Sequence, residues 1–245
     1  MFGQQIIEST LIDSTAIEVN VLLEADHFGT QFYIKNNTLY KETPHKTINY
    51  NNIQLGNITS VNTFNPLKIN VFYKYFNTVI VLDNRLAEIF KIDFNLTQPY
   101  KNVSFIGTGF DNTLWIFNQD SQQLELYNYQ TNTVKATSIP IQSEVLDLKS
   151  NYNYCFILTK NFLYKYNYSG SLLHKIPNNG FTSISENNEN VILKKENTLY
   201  FLPKNEETLY KINLPYLLIN QFLLTNQTLY IYNDESLYQF QLKIK

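Results

Sequence analysis

The sequence predicts an all-β protein: a six-bladed β-propeller of four-stranded antiparallel blades, closed by its own N-terminal strand. Three observations carry this expectation. A short apolar run, a polar turn and a second run carrying Leu-Tyr or its equivalent recur six times along 245 residues. The recurrence has a period near 40 residues, the length of a propeller blade. The runs alternate and are rich in Tyr, Phe, Ile and Val, which is strand chemistry, and no helical spacing persists beyond about two turns.

In chain order the paired runs are Gln31–Lys35 with Asn36–Tyr40, Asn77–Leu82 with Leu86–Ile92, and Asn112–Phe117 with Leu124–Tyr129. They continue with Tyr154–Thr159 and Phe162–Asn167, Asn190–Leu193 and Thr198–Leu202, and Gln227–Tyr232 and Ser236–Leu242. Counted from Gln31, Asn77, Asn112, Asn153, Asn190 and Gln227, the spacings are 46, 35, 41, 37 and 37 residues. Each blade needs an inner and an outer strand beside this pair. Inner candidates are Val19–Glu24, Ile69–Tyr73, Val103–Gly107, Val145–Lys149, Phe181–Ser185 and Leu218–Phe222; the clearest outer ones are Thr47–Gln54, Val134–Ile139, Ser171–Ile176 and Thr208–Leu214. The sixth unit runs out at Lys245 without an outer strand, whereas Gln5–Ile12 has no blade of its own. Assigning Gln5–Ile12 as the outer strand of the last blade closes the ring and removes its open edges. No linker interrupts the repeat, so residues 1–245 are expected to form one domain.

Composition supports this reading. Gly is 7 of 245, less than half the usual ~7%, while Asn reaches 33. Asn tolerates positive φ better than other non-Gly residues, so Asn36-Asn37, Asp83-Asn84, Lys160-Asn161 and Asn233-Asp234 read as the turns. Six Asn-x-Ser/Thr triplets are close to the chance number, about 5, for this content, so glycosylation is not indicated.

Charge excludes other classes. Nineteen Lys+Arg against 21 Asp+Glu leave no field for nucleic acid or an anionic membrane, and no apolar stretch approaches a membrane span. The single Cys155 excludes an intramolecular disulfide and a Cys-based zinc site, and its apolar surroundings read as a buried thiol. His27 and His45 fall in loops and His174 in an outer strand, without metal-ligand spacing. No metal or cofactor is expected.

Asp83, Asp120 and Asp234 occupy what reads as the same turn in three blades, and with Lys160 they are the candidate binding residues on one face of the ring. The competing reading is a solvated turn, because Asp is a preferred turn residue. No residue is assigned a catalytic role. Acid/base chemistry would need carboxylates converging on the axis, for which Glu18, Glu24, Glu144, Asp147 and Glu186 are the candidates. Trp115 and the Tyr-Phe ladders read as blade packing rather than ligand platforms.

Over its whole length the chain resembles six-bladed propellers such as the NHL, YWTD and TolB-like families. It carries none of their signatures: no Tyr-Trp-Thr-Asp, no sialidase Asp box, no Gly-His to Trp-Asp pair. The resemblance therefore implies the architecture and no site residues. Separately, Met1-Phe2-Gly3-Gln4-Gln5 resembles the end of the signal peptide in exported Bacteroidota proteins, where Phe-Gly precedes a mature Gln. That implies export to the periplasm or cell surface; an A+T-rich genome explains the Asn, Tyr, Ile and Lys content equally well, and the alternative is a cytoplasmic protein. The expected function is a non-enzymatic scaffold that binds a protein partner in an envelope or secretion-associated complex, with association to an outer-membrane complex and no nucleic-acid partner. The alternative is a carbohydrate-binding or sugar/ester-processing propeller with its site at the central channel.

Overall fold

A computed structural model describes residues 6–25 and 29–244. The first strand is β1 (Ile6–Ala16); four separate four-stranded sheets follow. They are β2 (Val21–Ala25), β3 (Gln31–Lys35), β4 (Thr38–Thr43) and β5 (Lys46–Tyr50); then β6 (Ser60–Asn62), β7 (Ile69–Tyr73), β8 (Thr78–Leu82) and β9 (Glu88–Asp93). The third holds β10 (Val103–Thr108), β11 (Thr113–Asn118), β12 (Gln123–Asn128) and β13 (Thr133–Thr137). The fourth holds β14 (Val145–Ser150), β15 (Tyr154–Thr159), β16 (Phe162–Asn167) and β17 (Leu172–Pro177). The remaining strands are β18 (Ser183–Asn187), β19 (Asn190–Lys195), β20 (Thr198–Leu202), β21 (Tyr210–Asn213), β22 (Gln221–Thr225), β23 (Thr228–Tyr232) and β24 (Ser236–Leu242). With β1 they form one eight-stranded sheet, ordered β18-β19-β20-β21-β1-β24-β23-β22.

The join in that sheet is β1 itself. Ile6–Glu8 pair in parallel with Lys211–Asn213 of β21, and Ser9–Ala16 pair antiparallel with β24, from Leu242 back to Ser236. Every other strand pair is antiparallel between sequence neighbours, because two- to seven-residue turns permit nothing else. Met1–Gln5, on which the export resemblance rests, and His27 lie outside the described residues.

Alternation builds the core. In β11, Leu114 and Ile116 pack towards the second sheet while Trp115 and Phe117 pack towards the fourth. Cys155 and Ile157 of β15 face the third sheet, and Phe156 and Leu158 face β18–β20. In β23, Leu229 and Ile231 face β19–β21, whereas Tyr230 and Tyr232 meet Leu22 and Ala25 of β2. Six apolar clusters thus separate successive four-strand units among the described residues, the last joining the end of the chain to its beginning. Each second strand is therefore covered on both sides, and outer strands such as β9 and β13 face solvent.

The second sheet departs from expectation. Ile69–Tyr73 is not an inner strand but the second one, fully buried beside an equally buried β8, and the inner strand is the three-residue β6. The last inner strand starts at Gln221 rather than Leu218, whose side chain is exposed.

Gly107 sets how closely the third and fourth sheets approach. A Cβ there would overlap Ser150 Oγ and lie 2.8 Å from Leu148 Cδ2. Gly107→Ala is expected to cost about 1–3 kcal/mol by overpacking, read from urea unfolding; an unchanged midpoint would show that the seam yields.

Candidate functional site

The inner strands β2, β6, β10, β14, β18 and β22 surround an axial channel of about 930 Å³. Its walls are stitched by polar side chains that reach from one inner strand to the next. Gln221 accepts from Leu22 N at 2.6 Å and donates to Asn20 O at 3.0 Å, and Ser185 Oγ accepts from Leu224 N at 3.0 Å. Asp147 Oδ2 accepts from Ile184 N at 2.9 Å, and Ser150 Oγ donates to Thr108 O at 2.8 Å. Thr108 Oγ1 donates to Asn62 Oδ1 at 2.7 Å and accepts from Asn70 of the second strand β7 at 3.0 Å. Such bonds hold the channel open in a fixed shape.

The charged groups near the axis are spoken for within the wall. Asp147 pairs with Lys149 at 3.2 Å besides its two backbone donors, Ile184 N and Leu148 N. Glu186 Oε1 accepts from Asn151 Nδ2 at 3.0 Å and Glu189 N at 2.8 Å. Glu24 also lines the channel. Glu18 and Glu144 do not: they are exposed and pair with Lys35 and Lys160 respectively. Burial pushes the Cys155 thiol well up, with Glu186 adding to the shift, as expected of an inert thiol. Trp115 is wholly buried. His45 sits in an exposed turn, and His174 in β17 lies 3.9 Å from Glu207. Among the described residues no three His, Cys, Asp or Glu side chains cluster as a metal site would need.

Burial also raises the Glu186 carboxyl above its ordinary range, against the opposing hydrogen bonds from Glu189 N and Asn151. The folded chain thus holds this proton to higher pH than the unfolded chain, and stability falls as pH rises from the unfolded value through the folded one. Glu186→Gln keeps an acceptor oxygen and removes the charge. We expect its melting temperature to exceed wild type at neutral pH and to match it in acid where Glu186 is protonated; equal shifts at both would contradict the assignment.

The turns divide between two faces. Connections between sheets and the turns from second to third strands open on one, here the upper face; first-to-second and third-to-fourth turns open on the lower. Asp120, Lys160 and Asp234 lie on the upper face, in the turns β11–β12, β15–β16 and β23–β24. Asp83 does not join them. Because β6 is the inner strand, β8 is third and Asp83 belongs to a third-to-fourth turn on the lower face, where its carboxylate accepts from Arg85 N and Ala87 N. Those two backbone donors hold the carboxyl below its ordinary range.

The three upper-face residues share a structural task. Each bonds to the residue that leads into its own sheet's inner strand. Asn102 Nδ2 donates to Asp120 Oδ1 at 2.8 Å, Asn220 Nδ2 donates to Asp234, and Lys160 pairs with Glu144 at 2.5 Å. In the first sheet Asn36 N donates to Asn20 Oδ1 in the same place. They are latches between turn and inner strand, spread around the ring rather than brought together.

What the turn chemistry left unseen is apolar. Ile53, Phe76 and Leu96 each lie in a three-residue 3-10 turn on the upper face, with Tyr75 and Tyr100 beside them, and all five are exposed, Ile53 and Tyr75 to 90%. They are neighbours: Asn95 Nδ2 donates to Phe76 O at 2.9 Å, Asn77 Nδ2 donates to Lys101 O at 2.6 Å, and a Cβ on Gly56 would sit 3.5 Å from the Phe76 ring. The sequence signal was an apolar residue within each turn, outside any alternating run.

No protein-family model matches the chain, and no curated protein matches it in sequence. Its backbone is similar to virginiamycin B lyase from Staphylococcus aureus, with a TM-score of 0.62 at 12% identity over 96% of this chain and 94% of that one. It is similar also to the WD40 domain of Neurospora crassa Pan2, with 0.63 at 10% over 93% and 76%. A chain of a mitotic checkpoint complex gives 0.61 at 11% over 95% and 91%. The fold is a β-propeller. Propellers at such identity share architecture and not sites, so the functional residues must be argued from this propeller's own surface.

Proposed function

We propose that this propeller is a non-enzymatic scaffold, a protein-binding subunit of a bacterial envelope or secretion-associated complex, which meets its partner through the upper face. The observation that carries the reading is the exposed cluster of Ile53, Tyr75, Phe76, Leu96 and Tyr100. A contiguous apolar patch rich in aromatic residues on a rigid framework is the composition of a protein interface. Ile139, Tyr216 and Leu218 extend the apolar character around the same face. One structural neighbour comes from a multiprotein complex, in keeping with a scaffold role for the architecture. The eight-stranded sheet is, in this reading, two blades sharing β1, so that residues 1–245 make one six-bladed domain; the six clusters between units support that count. Export rests on the Met1–Gln5 resemblance.

Affinity capture of the tagged protein from its native cells tests the proposal. A stoichiometric partner is expected with wild type and is lost from Tyr75→Ser/Leu96→Ser, whose melting temperature stays unchanged because both side chains are exposed. Absence of such a partner, or its retention by the double variant, would overturn the assignment.

A further inference from the structure

We infer that the lower mouth of the channel is a binding site for a neutral oligosaccharide. Phe64, in the β6–β7 loop, lines the channel, and its ring meets Tyr152 of the β14–β15 turn with centroids 4.9 Å apart at 81°. The two rings come from the second and fourth sheets, so the contact spans the third at the lower mouth. Both stay open to solvent, at 45% and 39%. An edge-on contact leaves both faces of one ring uncovered by the other, available to the C–H face of a pyranose.

From the rings upward the channel wall presents hydrogen-bonding groups that the stitches do not use, Asn62 and Asn187 nearest the rings and Ser60 and Ser183 farther in. The hydroxyls of Ser60 and Ser183 line the channel and bond to no described protein group; the amide nitrogens of Asn62 and Asn187 donate to none. Asp147, Lys149 and Glu186 are bonded within the wall. The site thus combines an aromatic rim with neutral donors and acceptors, in a preformed cavity of ligand size. That is the complement of a sugar, which is apolar on its ring face and hydroxylated at its edge; a polyanion finds no cluster of unpaired cations there.

Titration calorimetry and saturation-transfer NMR on the full-length protein would use cellohexaose, maltohexaose and chitohexaose, with heparin hexasaccharide and an uncharged capped hexapeptide as comparators. Saturable binding of at least one neutral hexasaccharide is expected, insensitive to salt. It should weaken about tenfold in Phe64→Ala and in Tyr152→Ala, and also in Ser183→Val, which fills the wall without touching the rim. Tyr75→Ser, on the other face, should bind as wild type does. The inference is overturned if none of the three neutral sugars binds, if only heparin or the peptide binds, or if binding survives both rim variants with their melting temperatures intact.

Discussion

A chain lacking residues 1–12 is expected to melt roughly 10–20 °C below the full-length protein, with a broadened transition. The deleted segment carries both halves of the join in the eight-stranded sheet: Ile6–Glu8 against β21, and Ser9–Leu11 against Leu242–Phe240 of β24. Ile7 is buried among Ile212, Phe240 and Leu242, and its truncation to Ala alone should cost about 2–5 kcal/mol. Glu8 adds a hydrogen bond from Asn213 Nδ2 at 2.9 Å, and its carbonyl accepts from Lys243 N at 2.9 Å. Loss of the segment also leaves β21 and the Phe240–Leu242 end of β24 as unpaired edges. Leu11→Ser serves as the control, since Leu11 is exposed and should change stability by less than about 0.5 kcal/mol. Differential scanning calorimetry distinguishes the cases, and a truncated chain that melts like wild type would refute closure by β1.

The second large effect is expected at Lys101. Its ammonium lies 2.5 Å from Glu125 Oε2, with the two side chains only 6% and 7% exposed, and 5.8 Å from the Tyr127 ring centroid. Asn118 Nδ2 donates to the other carboxylate oxygen at 3.1 Å. Lys101→Met fits the volume but strands a buried carboxylate, at a cost of about 3–5 kcal/mol. Lys101→Met with Glu125→Leu removes both charges, and we expect it to recover most of that loss in chemical denaturation. A double variant no better than the single one would show that the pair is worth its desolvation after all. Lys101 lies two residues before β10, so the pair also ties the entry to an inner strand to β12 of the same sheet.

Strand identity was legible wherever burial alternates or changes from strand to strand, as in β11 against β13. The second sheet defeated this reading because β7 and β8 are both buried throughout and β6 is only three residues long, Ser60-Val61-Asn62, which pattern alone cannot tell from a loop. That slip of one strand is what put Asp83 on the wrong face. The turn chemistry was partly legible: Asn36, Asn37 and Asp234 do adopt positive φ, as do Asn77, Asn188 and Asn226, but in the Asp83 turn the left-handed residue is Leu86. There the Asp83 carboxylate, by accepting from two backbone amides, holds the turn around a residue that ordinarily avoids it. The axial channel lay outside the reach of sequence because its polar lining depends on which inner-strand side chains meet across seams, and Gln221 meets Leu22 only after the ring closes. The upper-face cluster likewise unites residues from three separate turns.

The placement of β1 has a consequence for synthesis. This strand leaves the ribosome before any of the sheets, yet its partners β21 and β24 are made only after the four separate sheets. Until then Ile6, Ile7, Leu11 and Ile12 belong to an unpaired strand, and four sheets can pack without it. The final step joins residues more than 200 positions apart, a long-range closure that slows folding and prolongs exposure of a sticky edge. Refolding from denaturant should therefore show an early phase that forms the middle sheets and a late one reported by protection of the β1 and β24 amides.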